Sequence, residues 1–118
     1  ENAKSWAIAD ELPEMNHNAP LGYGAPAALA PLLHIVLLRH TAMHARTLIR
    51  VEATLEQMRA AGLSAEAVDV PGPSTLAQML WAIQLGDFVS YYLGLVYGVD
   101  PSEVRALDWI KARLASSA

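Results

Sequence analysis

Two side chains near the start of the sequence form the pair best suited to proton transfer at neutral pH. Glu1 supplies a carboxylate and His17 supplies an imidazole. A desolvated carboxylate can take a proton from a carbon next to a carbonyl group, and a histidine can protonate or deprotonate an oxygen in the same reaction. The residue types alone also allow a second interpretation, in which Glu1 is solvated and His17 is a hydrogen-bonded structural residue.

Two amides flank the histidine. Asn16 and Asn18 could orient the ring or bind sugar hydroxyls, but asparagine also caps loops through Asx turns. Glu11 and Glu14 could act as a second general acid/base pair, although charged side chains in loops are mostly solvated. These residues are therefore candidates for substrate binding and proton transfer, each with a purely structural alternative.

Metal and nucleotide chemistry find little support in the sequence. It contains no cysteine, which excludes a thiolate nucleophile and a cysteine-ligated zinc. His40 and His44 are four residues apart, as two ligands on one helix would be, but no third ligand accompanies them. No glycine-rich nucleotide fingerprint is present. We predict neither a metal nor an organic cofactor.

The elements that position these residues alternate between helices and strands. The pattern predicts a short helix over residues 1–9, a loop over 10–24 and a buried parallel strand over 32–38. A helix over 42–61, a strand over 67–70 and a helix over 75–97 follow. A last helix starts at residue 100, and its predicted buried face includes Leu107, Ile110 and Leu114. This order predicts a single α/β domain over residues 1–118, with parallel strands flanked by helices. Two strands are too few for a stable open sheet, so other strands must complete it.

The helix predicted over residues 75–97 is apolar nearly all round and long enough to cross a bilayer. Gln78, Gln84, Asp87 and Ser90 would be costly in lipid, which favours a core or interface helix and no membrane partner. The net charge of −4 gives no basic surface for nucleic acid. The absence of cysteine is consistent with a cytoplasmic location.

Three segments together resemble a known family. ENAK (residues 1–4), ELPEMNHN (residues 11–18) and the run from LGDFVSYYLG to KARL (residues 85–114) are similar in order and spacing to the second sugar isomerase (SIS) domain of bifunctional phosphoglucose/phosphomannose isomerases. That domain carries N-E-N-A-K, P-E-x-N-H-N and G-D-x-V-S-x-Y-L segments. The stretch between them matches in layout more than in letters.

The resemblance implies an SIS-type parallel sheet flanked by helices, and interconversion of glucose 6-phosphate or mannose 6-phosphate with fructose 6-phosphate, as used in glycolysis and gluconeogenesis. It implies that Glu1 shuttles a proton between C1 and C2 through a cis-enediolate, and that His17 helps to open the sugar ring. It also implies a homodimer in which the neighbouring subunit supplies this histidine, with no cofactor. The family's phosphate-binding loops lie in its first SIS domain, which this sequence does not contain, so we expect the segment alone to be inactive.

The sequence departs from the family pattern at two places, and these departures leave functions other than isomerase activity open. Ala19 stands where the family usually has an acidic residue, and Ser90-Tyr91-Tyr92 contains no lysine where some relatives have one that contacts the substrate. These departures favour a non-catalytic SIS-type module that binds a phosphosugar or mediates dimerisation. A third possibility is an α/β interaction domain whose aromatic helix packs against a partner.

Overall fold

The structure, a computed structural model, describes residues 2–116. Residues 7–83 form one compact unit, and residues 2–6 with 84–116 form another. The helices are α1 (Met15–Asn18), α2 (Ala45–Ala60), α3 (Thr75–Val96) and α4 (Arg105–Ala115), the strands are β1 (His34–His40) and β2 (Ser64–Val70), and short 3-10 helices span Ala19–Gly22 and Ala30–Leu32.

The centre of the first unit is a β1–α2–β2 crossover. The strands pair in parallel with His34 opposite Ser64 and His40 opposite Val70. A parallel pair needs a long connection, and α2 supplies it. The spacing of Leu48, Val51, Leu55 and Met58 predicts the core stripe of α2, and the last three are buried while Leu48 is half-buried. The predicted α/β fold with parallel strands is therefore confirmed.

The other face of this sheet is largely open. Val36 and Leu38 alternate with the better covered residues of β1 and each remains 44% exposed. The prediction of a strand buried on both sides is therefore wrong for this chain taken alone. The described residues contain a sheet of only two strands, and α2 covers one of its faces. A continuous apolar strand of this kind is typical of a sheet covered on both faces.

A charged cluster joins the carboxyl ends of the strands to α2. Arg39 donates from Nε to Asp69 Oδ1 at 2.5 Å and from Nη2 to Oδ2 at 3.1 Å, and it also pairs with Glu52 of α2. The hydrogen bond from Arg39 lowers the pKa of Asp69 below its ordinary value. The two-pronged geometry fixes the strand ends more specifically than a lysine could.

Helix α3 begins close to where the sequence predicts. Ser74 Oγ accepts a hydrogen bond from the Ala77 amide at 3.2 Å and so caps the first turn. Gln78 Nε2 donates to Thr41 Oγ1 at 2.6 Å and to the Gly72 carbonyl at 2.8 Å, which fixes this end of the helix. Within the described residues, α3 is the one helix whose length and apolar composition would suffice to cross a membrane.

Two predicted elements differ from the structure. Residues 2–9 contain no helix, and Asn2 and Lys4 bond instead to Ser90 and to the Pro101 carbonyl. Helix α4 begins at Arg105 rather than near Asp100, whose carboxylate instead accepts from the Ser102 amide and hydroxyl in a local turn. The predicted buried face of α4 is also exposed, with Ile110 at 47% and Leu114 at 68%.

Candidate active site

His17 lies on a short helix rather than in a loop. The Met15 amide donates to the Glu11 carbonyl at 2.8 Å, and the His17 amide donates to the Glu14 carbonyl at 2.9 Å. These turn bonds lead into α1, whose last turn is closed by the Ala19 amide donating to the Met15 carbonyl, and the 3-10 helix Ala19–Gly22 follows directly. The prediction of an irregular loop is therefore wrong at this point, because four residues are too few to show a helical period. The His17 side chain is exposed and free to meet a ligand.

The neighbouring amide ties this turn to α2. Asn16 donates from Nδ2 to Thr54 Oγ1 at 2.8 Å. Asn16, Thr54, Arg50 and Gln57 are the polar residues of an open cleft of about 300 Å³, which Pro20 and Ala53 complete. The cleft offers amide and guanidinium groups, and one of its residues, Asn16, immediately precedes His17. Such groups can form hydrogen bonds with the hydroxyls of a sugar.

Asn18, the second predicted substrate-binding amide, is also exposed. It precedes the 3-10 helix but makes no side-chain capping bond to it among the described residues. The capping interpretation therefore gains no support for this residue. Glu11 and Glu14 are likewise exposed, and neither forms an ion pair within residues 2–116.

Glu1 lies outside the described residues, but the segment that follows it is held in place. Asn2 donates from Nδ2 to Ser90 Oγ of α3 at 3.1 Å, and Ala3 is buried. Lys4 donates from Nζ to the Pro101 carbonyl at 2.9 Å. Asn2 therefore contacts Ser90 of the G-D-x-V-S-x-Y-L segment, and Lys4 contacts the chain that follows it.

A glycine permits this close approach. A Cβ atom on Gly94 would lie 2.8 Å from the carbonyl oxygen of Asn2, which is closer than real Cβ contacts allow. The backbone of residue 2 thus lies directly on the surface of α3. This contact constrains the chain one residue away from the predicted catalytic carboxylate.

A substitution tests this constraint. If Glu1 has the role that the family resemblance implies, alanine at Gly94 should lower the kcat of the full-length protein about tenfold, because the new methyl group must displace Asn2. Gly86→Ala is the matched control in the same helix, since its Cβ meets nothing within 4 Å in the described chain. Helix propensity alone would stabilise either variant by about 1 kcal/mol.

The measurements are thermal unfolding and steady-state kinetics of both variants. We expect Gly86→Ala to be more stable than the wild type with unchanged kcat. Gly94→Ala should lose kcat and gain no stability. Equal stabilisation of both variants with unchanged kcat would show that the Gly94 contact does not position the catalytic segment.

No group of three or more potential metal-binding side chains occurs among residues 2–116. His44 has another role, since its Nδ1 accepts a hydrogen bond from the Arg46 amide at 3.1 Å and caps α2. His34 lies between Ser64 and Glu66, at 2.7 and 3.0 Å. Among residues 2–116, no third potential ligand therefore accompanies His40 and His44.

Sequence reasoning missed Thr54, Ser90 and Gly94 as positioning residues. Thr54 lies three residues after Val51 on the buried stripe of α2, and a hydroxyl at such a position needs a partner. Gly94 lies inside a helix without ending it, but so does Gly86, which has no close neighbour, so the sequence does not single out Gly94. The signal at Thr54 marks that position, but the sequence does not say which residue it contacts.

A parallel β–α–β unit, with a histidine-bearing turn tied to its crossover helix, is consistent with part of an SIS-type domain. The family described as the bacterial phospho-glucose isomerase C-terminal SIS domain matches residues 1–114. The chain therefore belongs to this family.

Curated relatives agree with that assignment. The chain is 36% identical to the bifunctional phosphoglucose/phosphomannose isomerase of Caldicellulosiruptor bescii over 115 residues, which cover 98% of the chain and 34% of that protein. It is 32% identical to the protein of the same name from Aquifex aeolicus, over 100% of the chain and 37% of that protein. The chain thus spans about a third of the length of these relatives. No solved structure matches it.

Proposed function

We propose that the full-length protein is a cytoplasmic phosphoglucose/phosphomannose isomerase and that this chain contributes its proton-transfer and ring-opening groups. The observation that carries the proposal is the family match over residues 1–114, a range that retains both Glu1 and His17. The relatives' names supply the reaction class. The substrates are glucose 6-phosphate or mannose 6-phosphate and fructose 6-phosphate.

The proposed reaction starts on the open-chain sugar. The Glu1 carboxylate takes a proton from C1 of fructose 6-phosphate, which leaves a cis-enediolate across C1 and C2. The same carboxyl group returns the proton to C2, while the hydroxyl proton moves from O1 to O2 and leaves an aldehyde at C1. One base can serve both carbons because they are adjacent and present the same face.

His17 has a separate task in this proposal. It moves a proton to or from the ring oxygen, so that the cyclic sugar opens before the carboxylate acts. The exposed amide of Asn18 holds a sugar hydroxyl beside it, whereas the side-chain nitrogen of Asn16 is bonded to Thr54. The cationic groups that neutralise the phosphate belong to parts of the full-length protein outside this chain, and the 118-residue segment alone is therefore inactive.

The proposal is tested by turnover of fructose 6-phosphate by the full-length protein, with glucose 6-phosphate and mannose 6-phosphate measured separately. Formation of either product supports it. Tight phosphosugar binding without product would instead favour a non-catalytic SIS-type binding or dimerisation module. The observations that favour this second function are Ala19 and the lysine-free Ser90-Tyr91-Tyr92 stretch.

A homodimer with a shared site makes a specific prediction. If His17 reaches the active site of the neighbouring subunit, each site combines Glu1 of one copy with His17 of the other. Co-refolding inactive Glu1→Gln subunits with inactive His17→Ala subunits should then yield mixed dimers with one intact site. We expect recovered activity near a quarter of the wild-type value for random pairing. No recovery, with mixed dimers confirmed by mass spectrometry, would place both groups in the same subunit.

A further inference from the structure

Thr54 occupies an unusual position for a polar residue. It is 2% exposed and lies on the buried stripe of α2, between Val51 and Leu55. Threonine is also a weak helix former, so neither packing nor helix propensity explains its hydroxyl. A buried hydroxyl is costly unless it has a hydrogen-bond partner. Its partner is the Asn16 amide at 2.8 Å.

The turn that carries His17 has few other supports. Helix α1 is four residues long, contains no buried residue, and has no side-chain cap at its N-terminus. Within residues 2–116, the Asn16–Thr54 bond is the side-chain hydrogen bond that links this turn to α2. A one-turn helix is marginal without tertiary contacts. The orientation of the turn, and of the next side chain along it, therefore depends on this bond.

We infer that Thr54 is a positioning residue for His17, acting through the side chain of Asn16. Thr54 does not touch the substrate in this account. Its hydroxyl fixes Asn16, and Asn16 fixes the turn from which the imidazole approaches the ring oxygen. The inference rests on the proposed function, because it assumes that His17 assists ring opening.

The test uses the full-length protein and two substitutions of nearly the same size. Thr54→Val replaces the hydroxyl with a methyl group in apolar surroundings, while Thr54→Ser keeps the hydroxyl. We expect Thr54→Val to lower kcat for fructose 6-phosphate about tenfold with little change in KM, because the ring-opening group is displaced. Thr54→Ser should restore kcat to within about twofold of the wild type.

A substrate that cannot form a ring separates positioning from general damage. 5-Deoxyfructose 6-phosphate lacks the hydroxyl that closes the ring, so it needs no ring opening. Thr54→Val should turn it over at close to the wild-type rate. In a His17→Ala background, Thr54→Val should cause no further loss on fructose 6-phosphate, because both changes remove the same function.

The inference is overturned if Thr54→Val leaves fructose 6-phosphate turnover unchanged, or if it lowers turnover of both substrates equally. Asn16→Ala removes the same hydrogen bond by deleting its donor, and Asn16 is only half-buried. This variant replaces Thr54→Val in the test if Thr54→Val does not fold. Failure of the proposed function looks different. In that case His17→Ala itself would not distinguish the cyclic substrate from the open-chain substrate.

Discussion

Glu1→Gln in the full-length protein is expected to lower kcat for fructose 6-phosphate by about 10²-fold or more and to leave KM nearly unchanged. Glutamine has almost the same size and keeps a hydrogen-bonding side chain, but it cannot accept a proton from carbon. A group that acts in the transition state should affect kcat far more than ground-state binding. The loss should be equally large for 5-deoxyfructose 6-phosphate, because proton transfer follows ring opening.

Glu11→Gln is the matched control for this experiment. Glu11 is an exposed carboxylate of the second motif, and it forms no ion pair within the described residues. Its replacement should leave kcat and KM unchanged. If Glu11→Gln abolishes turnover while Glu1→Gln retains it, the general base lies near His17 and the proton-shuttle assignment is wrong.

His17→Ala is expected to have the second largest effect, and the effect should depend on the substrate. With fructose 6-phosphate, which is mostly cyclic, we expect kcat/KM to fall by about 10²-fold, the lower end of general acid–base effects. With 5-deoxyfructose 6-phosphate the fall should be much smaller. Steady-state kinetics with the two substrates side by side measures this difference.

His44→Ser controls for the loss of an exposed imidazole. His44 caps α2 through Nδ1, and serine can accept the same amide hydrogen bond. The control should behave like the wild type with both substrates. Equal losses with cyclic and open-chain substrates in His17→Ala would assign this histidine to binding or folding rather than to ring opening.

The sequence predicts the regular parts of the fold well, because their signals are local. The apolar run that forms β1 and the stripe of Val51, Leu55 and Met58 follow periods that need no knowledge of distant residues. A cap at the start of α3 is also a local signal: the sequence offers Ser74 or Thr75, and the structure uses Ser74. The prediction for β1 is displaced by two residues, which is usual for the boundaries of an element.

The positions of the chemistry-bearing residues could not be predicted in the same way. His17 lies on a helix of one turn, and that turn is tied to Thr54, which is 37 residues further along the chain than His17. Asn2 contacts Ser90 across an even longer separation. Such pairings depend on tertiary packing, which a single sequence does not encode as a period. Motif spacing therefore indicated the candidate catalytic residues, while the structure identified the residues that hold their segments in place.

Exposed apolar residues have a related explanation. Leu114, Trp109 and Val96 are each more than two-thirds exposed, although their spacing or apolar setting suggests burial. The chain spans about a third of the length of its curated relatives, and we expect these exposed surfaces to pack against other parts of the full-length protein. The spacing of apolar residues predicts that a helix face is buried, but it does not identify the segment that covers this face.

The most direct test of the central claim is to incubate the full-length protein with fructose 6-phosphate in D₂O and to follow the sugars by NMR. An enediolate mechanism predicts glucose 6-phosphate or mannose 6-phosphate with deuterium at C2 in at least part of the product, and deuterium at C1 of recovered fructose 6-phosphate. Binding of fructose 6-phosphate with neither product nor exchange would contradict the account and identify a phosphosugar-binding module.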